Sequence, residues 1–222
     1  MITFPDEVKA AYSRSKNIIR KTPLDHSPSL SNIIDGDVYL KLDNIQKTGS
    51  FKFRGAISKM TSLNEKQRKK GVVTASTGNH GSAVSLGMKI LGINGSIIVP
   101  ENIAPNKVEN IKNLGGTVEY YGNDCLEAEQ RAQEISVTTG AIYISPYNDP
   151  VIVAGQGTMG VELDKDLSNI DTVIVAVGGG GLISGIGGYL KTVQPKVEMV
   201  GCSPKNSCVK YESFQEGRIL DL

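Results

Sequence analysis

From residue 72 onward, short β-branched runs alternate with longer amphipathic stretches, and this alternation restricts the fold more than any other feature of the chain. Residues 72–76 read as a strand and residues 79–91 as a helix closed by Gly92. Residues 95–99 form a second strand ended by Pro100, and residues 105–114 a helix with Pro105 in its permissive first turn and Gly115-Gly116 after it. Residues 117–121 and 141–145 read as strands around a helix at 124–137. A β-α-β-α-β-α-β order of this kind predicts a parallel sheet with right-handed crossovers.

A second set follows. Residues 152–167 read as a helix interrupted by small residues, and the apolar run 172–177 as a strand buried on both faces. A helix at 182–193 and a strand at 197–201 complete it. Ahead of both sets stand a helix at 7–19, a strand at 38–42 and a helix at 50–61. The expectation is an α/β protein of two open parallel-sheet lobes. Residues 71–148 make a small lobe, and residues 1–70 with 149–222 make a large one. Only about 20 residues follow the last strand, too few to finish a large open sheet.

Composition removes several classes of function. There are 24 Lys and Arg against 23 Asp and Glu, so no basic surface for nucleic acid or anionic lipid is expected. The chain has no Trp, 4 Phe and 8 Tyr, which argues against a base-stacking platform. Three cysteines (Cys125, Cys202, Cys208) lack the paired spacing of a zinc site, and the two histidines, His26 and His80, lie far apart, so no metal is expected. No basic segment followed by an apolar run opens the chain, and the longest apolar stretch is too short to span a bilayer. A cytoplasmic protein acting on a small molecule is the expectation.

Three constellations carry chemistry. Glycine is over-represented, at 25 residues, and four of them stand together at Gly178, Gly179, Gly180 and Gly181, directly after a strand and before a helix. Bare backbone at a helix N-terminus suits a phosphate, through N–H donors and the positive end of the helix dipole. The alternative is a tight turn without ligand. A dinucleotide fingerprint fits badly: Ser184 takes the third glycine position, and Ser203 stands where an acidic residue belongs. The second constellation is Lys52 between Phe51 and Phe53, with Thr48 or Ser50 positioned to cap the helix that Lys52 begins. Apolar neighbours and the helix dipole both lower a lysine pKa there, leaving an amine able to condense with an aldehyde. The alternative is a solvated lysine on an amphipathic helix. The third is Ser76-Thr-Gly-Asn-His-Gly81, where hydroxyls, an amide and an imidazole meet a helix start suited to a small carboxylate; the alternative is a capped turn.

An aldehyde-reactive lysine, a phosphate cradle and a carboxylate loop on an α/β scaffold point together to pyridoxal 5′-phosphate acting on an amino acid. Ser50-Phe-Lys-Phe-Arg-Gly-Ala56, Ser76-Thr-Gly-Asn-His-Gly81, Ala154-Gly-Gln-Gly-Thr158 and Gly178-Gly-Gly-Gly-Leu-Ile-Ser-Gly185 resemble the fold-type II family of threonine/serine dehydratases and serine racemases. Within that family, the Ser76–Gly81 variant and the Gly201-Cys-Ser-Pro204 ending resemble the hydroxyectoine-utilisation branch. The resemblance implies that Lys52 holds pyridoxal phosphate as a Schiff base, Phe51 packs against its ring, and Asn79 hydrogen-bonds its phenolic oxygen. It further implies that Gly178, Gly179, Gly180, Gly181 and Leu182 bind the phosphate, and that Ser76, Thr77, Gly78 and His80 face the substrate carboxylate. The implied reaction is α,β-elimination of a hydroxy-amino acid to a 2-oxo acid and ammonia, by a homo-oligomer, most simply a dimer.

Three departures matter. Racemases of the family place a serine where Thr77 stands and typical dehydratases an alanine, so Thr77 keeps a hydroxyl able to act as acid or base. Cys202-Ser203-Pro204 replaces the glutamate that serves a divalent-cation site in some members. Family members also continue for roughly a hundred residues past the position of Leu222, so the chain is expected to be C-terminally short.

Overall fold

The computed structural model describes residues 3–220. In chain order its elements are α1 (Phe4–Ser15), β1 (Leu24–His26), α2 (Pro28–Ile34), β2 (Tyr39–Lys41), a 3-10 turn (Asp43–Ile45), α3 (Lys52–Ser62), α4 (Glu65–Lys70), β3 (Val72–Ala75) and α5 (Asn79–Leu91). There follow β4 (Gly95–Val99), α6 (Pro105–Asn113), β5 (Val118–Tyr120), α7 (Cys125–Thr139), β6 (Ile142–Tyr143), α8 (Pro150–Asp166), β7 (Thr172–Ala176), α9 (Gly181–Val193), β8 (Glu198–Cys202) and α10 (Val209–Glu216). They form two compact units, one of Met1–Ser13 and Tyr147–Leu222, the other of Arg14–Pro146.

The Arg14–Pro146 unit is built on a four-stranded sheet in the order β5-β4-β3-β6, every pair parallel. This is the sheet the alternating pattern predicts. Val73 and Ile98 on adjacent strands pack with Ala128 and Ala132 of α7 and with Ala141. Alanines on that face of α7 let the helix lie close on the sheet. Asp124 fixes its start by accepting the Glu127 N–H at 2.9 Å, a side-chain cap for an otherwise unpaired first-turn donor. The sequence placed the lobe boundary at residue 70. In the structure, residues 14–70 belong to the same compact unit as this sheet, because α3 packs against α5. A short antiparallel pair, β1 with β2, lies in this unit as well.

The other unit holds a two-stranded parallel sheet, β7 with β8, and the helices α8 and α9 packed on each other. Two expectations need correction here. Residues 150–166 form one unbroken helix, and its small residues are a packing seam rather than interruptions. A Cβ on Gly157 would stand 2.7 Å from the Gly185 carbonyl oxygen, and one on Gly185 would stand 2.6 Å from the Gly157 nitrogen, so the two helices meet backbone to backbone. Strand β7 is not buried on both faces. Val175 is buried, but Thr172, Ile174 and Ala176 are exposed. α9 contacts this sheet, as the approach of Gly187 to the Met199 side chain marks.

Candidate active site

Lys52 is the first residue of α3, and Phe51 occupies the cap position with no side-chain cap. Neither hydroxyl expected to cap this helix does so well. Ser50 Oγ is 3.4 Å from the Lys52 N–H, and Thr48 Oγ1 is buried without a hydrogen-bond partner. The helix is anchored instead by ions. Arg54, wholly buried, donates from Nε to Asp43 Oδ2 at 2.6 Å and from Nη2 to Asp43 Oδ1 at 2.7 Å. The Thr22 hydroxyl donates to the same carboxylate at 2.7 Å. A two-pronged pair of this kind fixes orientation as well as distance, and it stands two residues from Lys52. Nothing in the sequence pattern singles out Asp43 or Thr22.

The Lys52 ammonium donates to the Pro146 carbonyl at 2.8 Å and lies 5.3 Å from the centre of the Phe51 ring. Burial lowers its pKa from the usual lysine value, because a desolvated ammonium is less stable than the neutral amine. The helix-start geometry and apolar neighbours read from the sequence are therefore present. The Pro146 carbonyl, being backbone, left no sequence signal.

Residues 76–80 connect β3 to α5. Gly78 is the cap residue of α5 and supplies no side chain to its first turn. Ser76 Oγ accepts the Gly78 N–H at 3.2 Å, Ser76 to Gly78 are half-buried, and Asn79 is exposed. The expectation set His80 among residues facing a carboxylate. The structure buries its ring, with Nε2 2.9 Å from the Ile144 carbonyl, which also accepts from the Thr74 hydroxyl at 2.7 Å. A carbonyl only accepts, so the imidazole proton sits on Nε2. Nδ1 is buried with no hydrogen-bond partner. Burial first, and the nearby Lys52 charge in addition, push the His80 pKa down to about 4. Lys52 and His80 are thus neighbours within one unit.

The glycine loop belongs to the other unit. Val177 N–H bonds to the Cys202 carbonyl at 2.8 Å, and the Ser203 hydroxyl donates to the Val177 carbonyl at 2.9 Å, so the end of β7 is pinned where the loop begins. Gly180 has φ +86° and caps α9 without a side chain. The four glycines differ in their surroundings. A Cβ at Gly178 or Gly180 would meet nothing within 4 Å, whereas one at Gly179 would run into the Tyr147 ring. Leu182 follows, half-buried in the first turn of α9.

Residues 16–222 match the family described as pyridoxal-phosphate dependent enzyme. The chain is 43% identical over 218 residues to L-threonine ammonia-lyase of Thermotoga maritima, covering 98% of this chain and 54% of that protein. Among solved structures, serine racemase of maize aligns with a TM-score of 0.95 at 34% identity, over 100% of this chain and 68% of that one. The processed form of threonine deaminase isoform 2 from Solanum lycopersicum aligns with a TM-score of 0.92 at 33% identity, over 98% of this chain and 65% of that one. The chain thus spans about half the length of its Thermotoga relative. A family match over almost the whole sequence, on a scaffold that half-buries an amine at one helix start and bares a glycine loop at another, leads to one conclusion: the chain belongs to the pyridoxal-phosphate dependent enzymes, in the fold-type II group of threonine dehydratases and serine racemases.

Proposed function

We propose that this chain carries out the chemistry of a threonine/serine dehydratase, an ammonia-lyase that eliminates the β-hydroxyl of a hydroxy-amino acid and yields a 2-oxo acid and ammonia. The observation that carries the reading is Lys52: a half-buried amine of lowered pKa, in a chain 43% identical to a protein named L-threonine ammonia-lyase. Its residues fit pyridoxal phosphate. Desolvation leaves Lys52 the nucleophile an aldehyde needs, and Gly178 and Gly180 leave open space where any other residue would put a Cβ.

In this reading Lys52 carries the cofactor, Phe51 packs against its ring, Asn79 hydrogen-bonds its phenolic oxygen, and Gly178, Gly179, Gly180, Gly181 and Leu182 take its phosphate through backbone N–H groups. When bound, pyridoxal phosphate supplies an electron sink for the charge left on the substrate Cα. Lys52 Nζ, released as a neutral amine, accepts the α-proton. Ser76, Thr77 and Gly78 hold the substrate carboxylate with hydroxyl and backbone donors, and His80 backs that loop through its bond to Ile144. The β-hydroxyl leaves as water with the proton that Lys52 Nζ took from Cα, and addition of water to the released enamine gives the 2-oxo acid and ammonia.

Serine racemisation is the second reading, favoured by the Thr77 hydroxyl and by the likeness to maize serine racemase. We further propose a cytoplasmic homo-oligomer, most simply a dimer, with a free amino acid as substrate. For the location, the support is three cysteines free of disulfides, beside the absence among the described residues of any helix long and apolar enough to cross a membrane.

The test is 2-oxo acid release from L-threonine and L-serine with added pyridoxal phosphate, alongside enantiomer formation from L-serine. Elimination is expected, with loss of at least ~100-fold in Lys52→Ala, as befits removal of a general base. Thr77→Ala is expected to spare elimination and remove any racemisation. Elimination that survives Lys52→Ala would sink the assignment.

A further inference from the structure

We propose that Tyr147 is a positioning residue for the glycine loop: its ring is the platform that sets residues 178–181 with their open side toward a phosphate. The four glycines divide by what surrounds them. A Cβ on Gly179 would overlap the Tyr147 ring at Cγ, stand 2.7 Å from Cδ1 and 2.8 Å from Cβ, and a Cβ on Gly181 would stand 3.0 Å from the Tyr147 carbonyl oxygen and 3.3 Å from its Cα. Gly178 and Gly180 have nothing within 4 Å of the same position. Two of the glycines therefore make room for Tyr147, and the other two leave room for a ligand.

The platform is held from behind. Two residues further on, Asp149 accepts the Val151 and Ile152 N–H groups at 2.8 and 3.1 Å and so fixes the start of α8. α8 locks onto α9 through the Gly157–Gly185 seam, and α9 begins at Gly181. Ring and loop thus stand just ahead of the first turns of two interlocked helices, so losing the ring frees the loop without loosening the helix pair. The Tyr147 aromatic ring was not among the residues the sequence nominated.

The proposal rests on reading the loop as the cofactor's phosphate site, and the experiment separates the two. Pyridoxal phosphate, or pyridoxal lacking the phosphate, is titrated into the chain; borohydride trapping at Lys52 is read by peptide mass, with circular dichroism as a check on folding. In Tyr147→Ala and Tyr147→Leu the half-saturating pyridoxal phosphate concentration is expected to rise about tenfold, the worth of one hydrogen bond to a charged oxygen, while that of pyridoxal stays within about twofold. Tyr147→Phe keeps the ring and restores affinity. Gly179→Ala weakens pyridoxal phosphate binding as Tyr147→Ala does, and combining the two brings no further loss, since each removes the same contact. If Tyr147→Ala does not fold, Tyr147→Leu, which fills the volume without a flat ring, carries the test. Unchanged affinity in folded Tyr147→Leu, equal loss for both ligands, or a Phe variant as weak as Ala overturns the platform alone. A wild-type chain left unlabelled at Lys52 overturns the platform together with the cofactor reading beneath it.

Discussion

Among single side chains, His80 ties stability to pH most directly. Its proton lies on Nε2, against the Ile144 carbonyl, and Nδ1 is buried and bare. Adding a second proton charges a ring that water does not reach, with the Lys52 ammonium nearby, which is why the pKa falls from 6.5 to about 4. The unfolded chain binds that proton near pH 6.5 and the folded chain does not. The His80 contribution is therefore fully present above pH 6.5, is lost as pH falls through the interval to about 4, and then levels off. The drop corresponds to roughly 3 kcal/mol. Urea unfolding at pH 7 and pH 4.5 is expected to show the wild type losing more stability than His80→Gln across that interval; equal losses would place the titration elsewhere. A bare Nδ1 also accepts rather than donates, so under the proposed function the carboxylate donors are the Ser76 and Thr77 hydroxyls and the Thr77 N–H, the Ser76 and Gly78 N–H groups being bonded to the Ile98 carbonyl and to Ser76 Oγ.

Secondary-structure elements divide by how far their neighbours, rather than their own residues, decide them. The α8–α9 seam is the clearest case. A methyl group on Gly185 would meet the Val153 carbonyl and, at 2.6 Å, the Gly157 nitrogen, all backbone that cannot rotate away. Gly185→Ala is expected to destabilise the chain by about 1–3 kcal/mol, the usual range for overpacking a well-packed interface. Gly187→Ala, two residues along the same helix, meets only the flexible Met199 side chain at 3.4 Å. It should be neutral, or stabilising by up to ~1 kcal/mol from helix propensity. Thermal melting of the pair checks both, and an equal effect would remove the seam as the cause. Reading the small residues within 152–167 as interruptions is the mistake that single-chain periodicity invites: close approach is a property of two helices and has no period in one. The elements of the four-stranded sheet were legible for the opposite reason. Gly92, Pro100, Pro105 and Gly140 punctuate apolar runs that each pack within the same unit. Missed altogether were β1, three residues with no apolar alternation, the short helices α2 and α10, neither of which buries a residue, and α4, Glu-Lys-Gln-Arg-Lys-Lys, which has no apolar face. Only the Asn64–Gln67 capping box betrays α4.

At the scale of the whole chain, motif and fold class were readable, while the surroundings of β7 were not. An apolar run such as 172–177 looks the same in sequence whether both faces are covered or one, because burial depends on what else packs there. In the parallel register Ile174 stands beside Val200, and Thr172 and Ala176 beside Glu198 and Cys202. The alternate set, Val173 and Val175 with Met199 and Gly201, lies on the side where α9 approaches Met199. The first set leaves Ile174 70% exposed in the middle of a strand with two β-branched apolar neighbours. Phe214 and Ile219 in the same unit are also exposed, at 84% and 80%. Exposed apolar strand faces drive association between copies. This 222-residue chain is therefore expected to self-associate with rising concentration, read as light scattering or as a concentration-dependent sedimentation profile. Ile174→Ser removes the largest apolar group from that face. It should reduce association while changing the unfolding free energy by no more than about 0.5 kcal/mol, the range for a surface substitution. A loss of several kcal/mol in that variant would instead mean that Ile174 is covered in solution, and scattering unchanged by it would move the sticky surface to α10 and the Phe214 side chain.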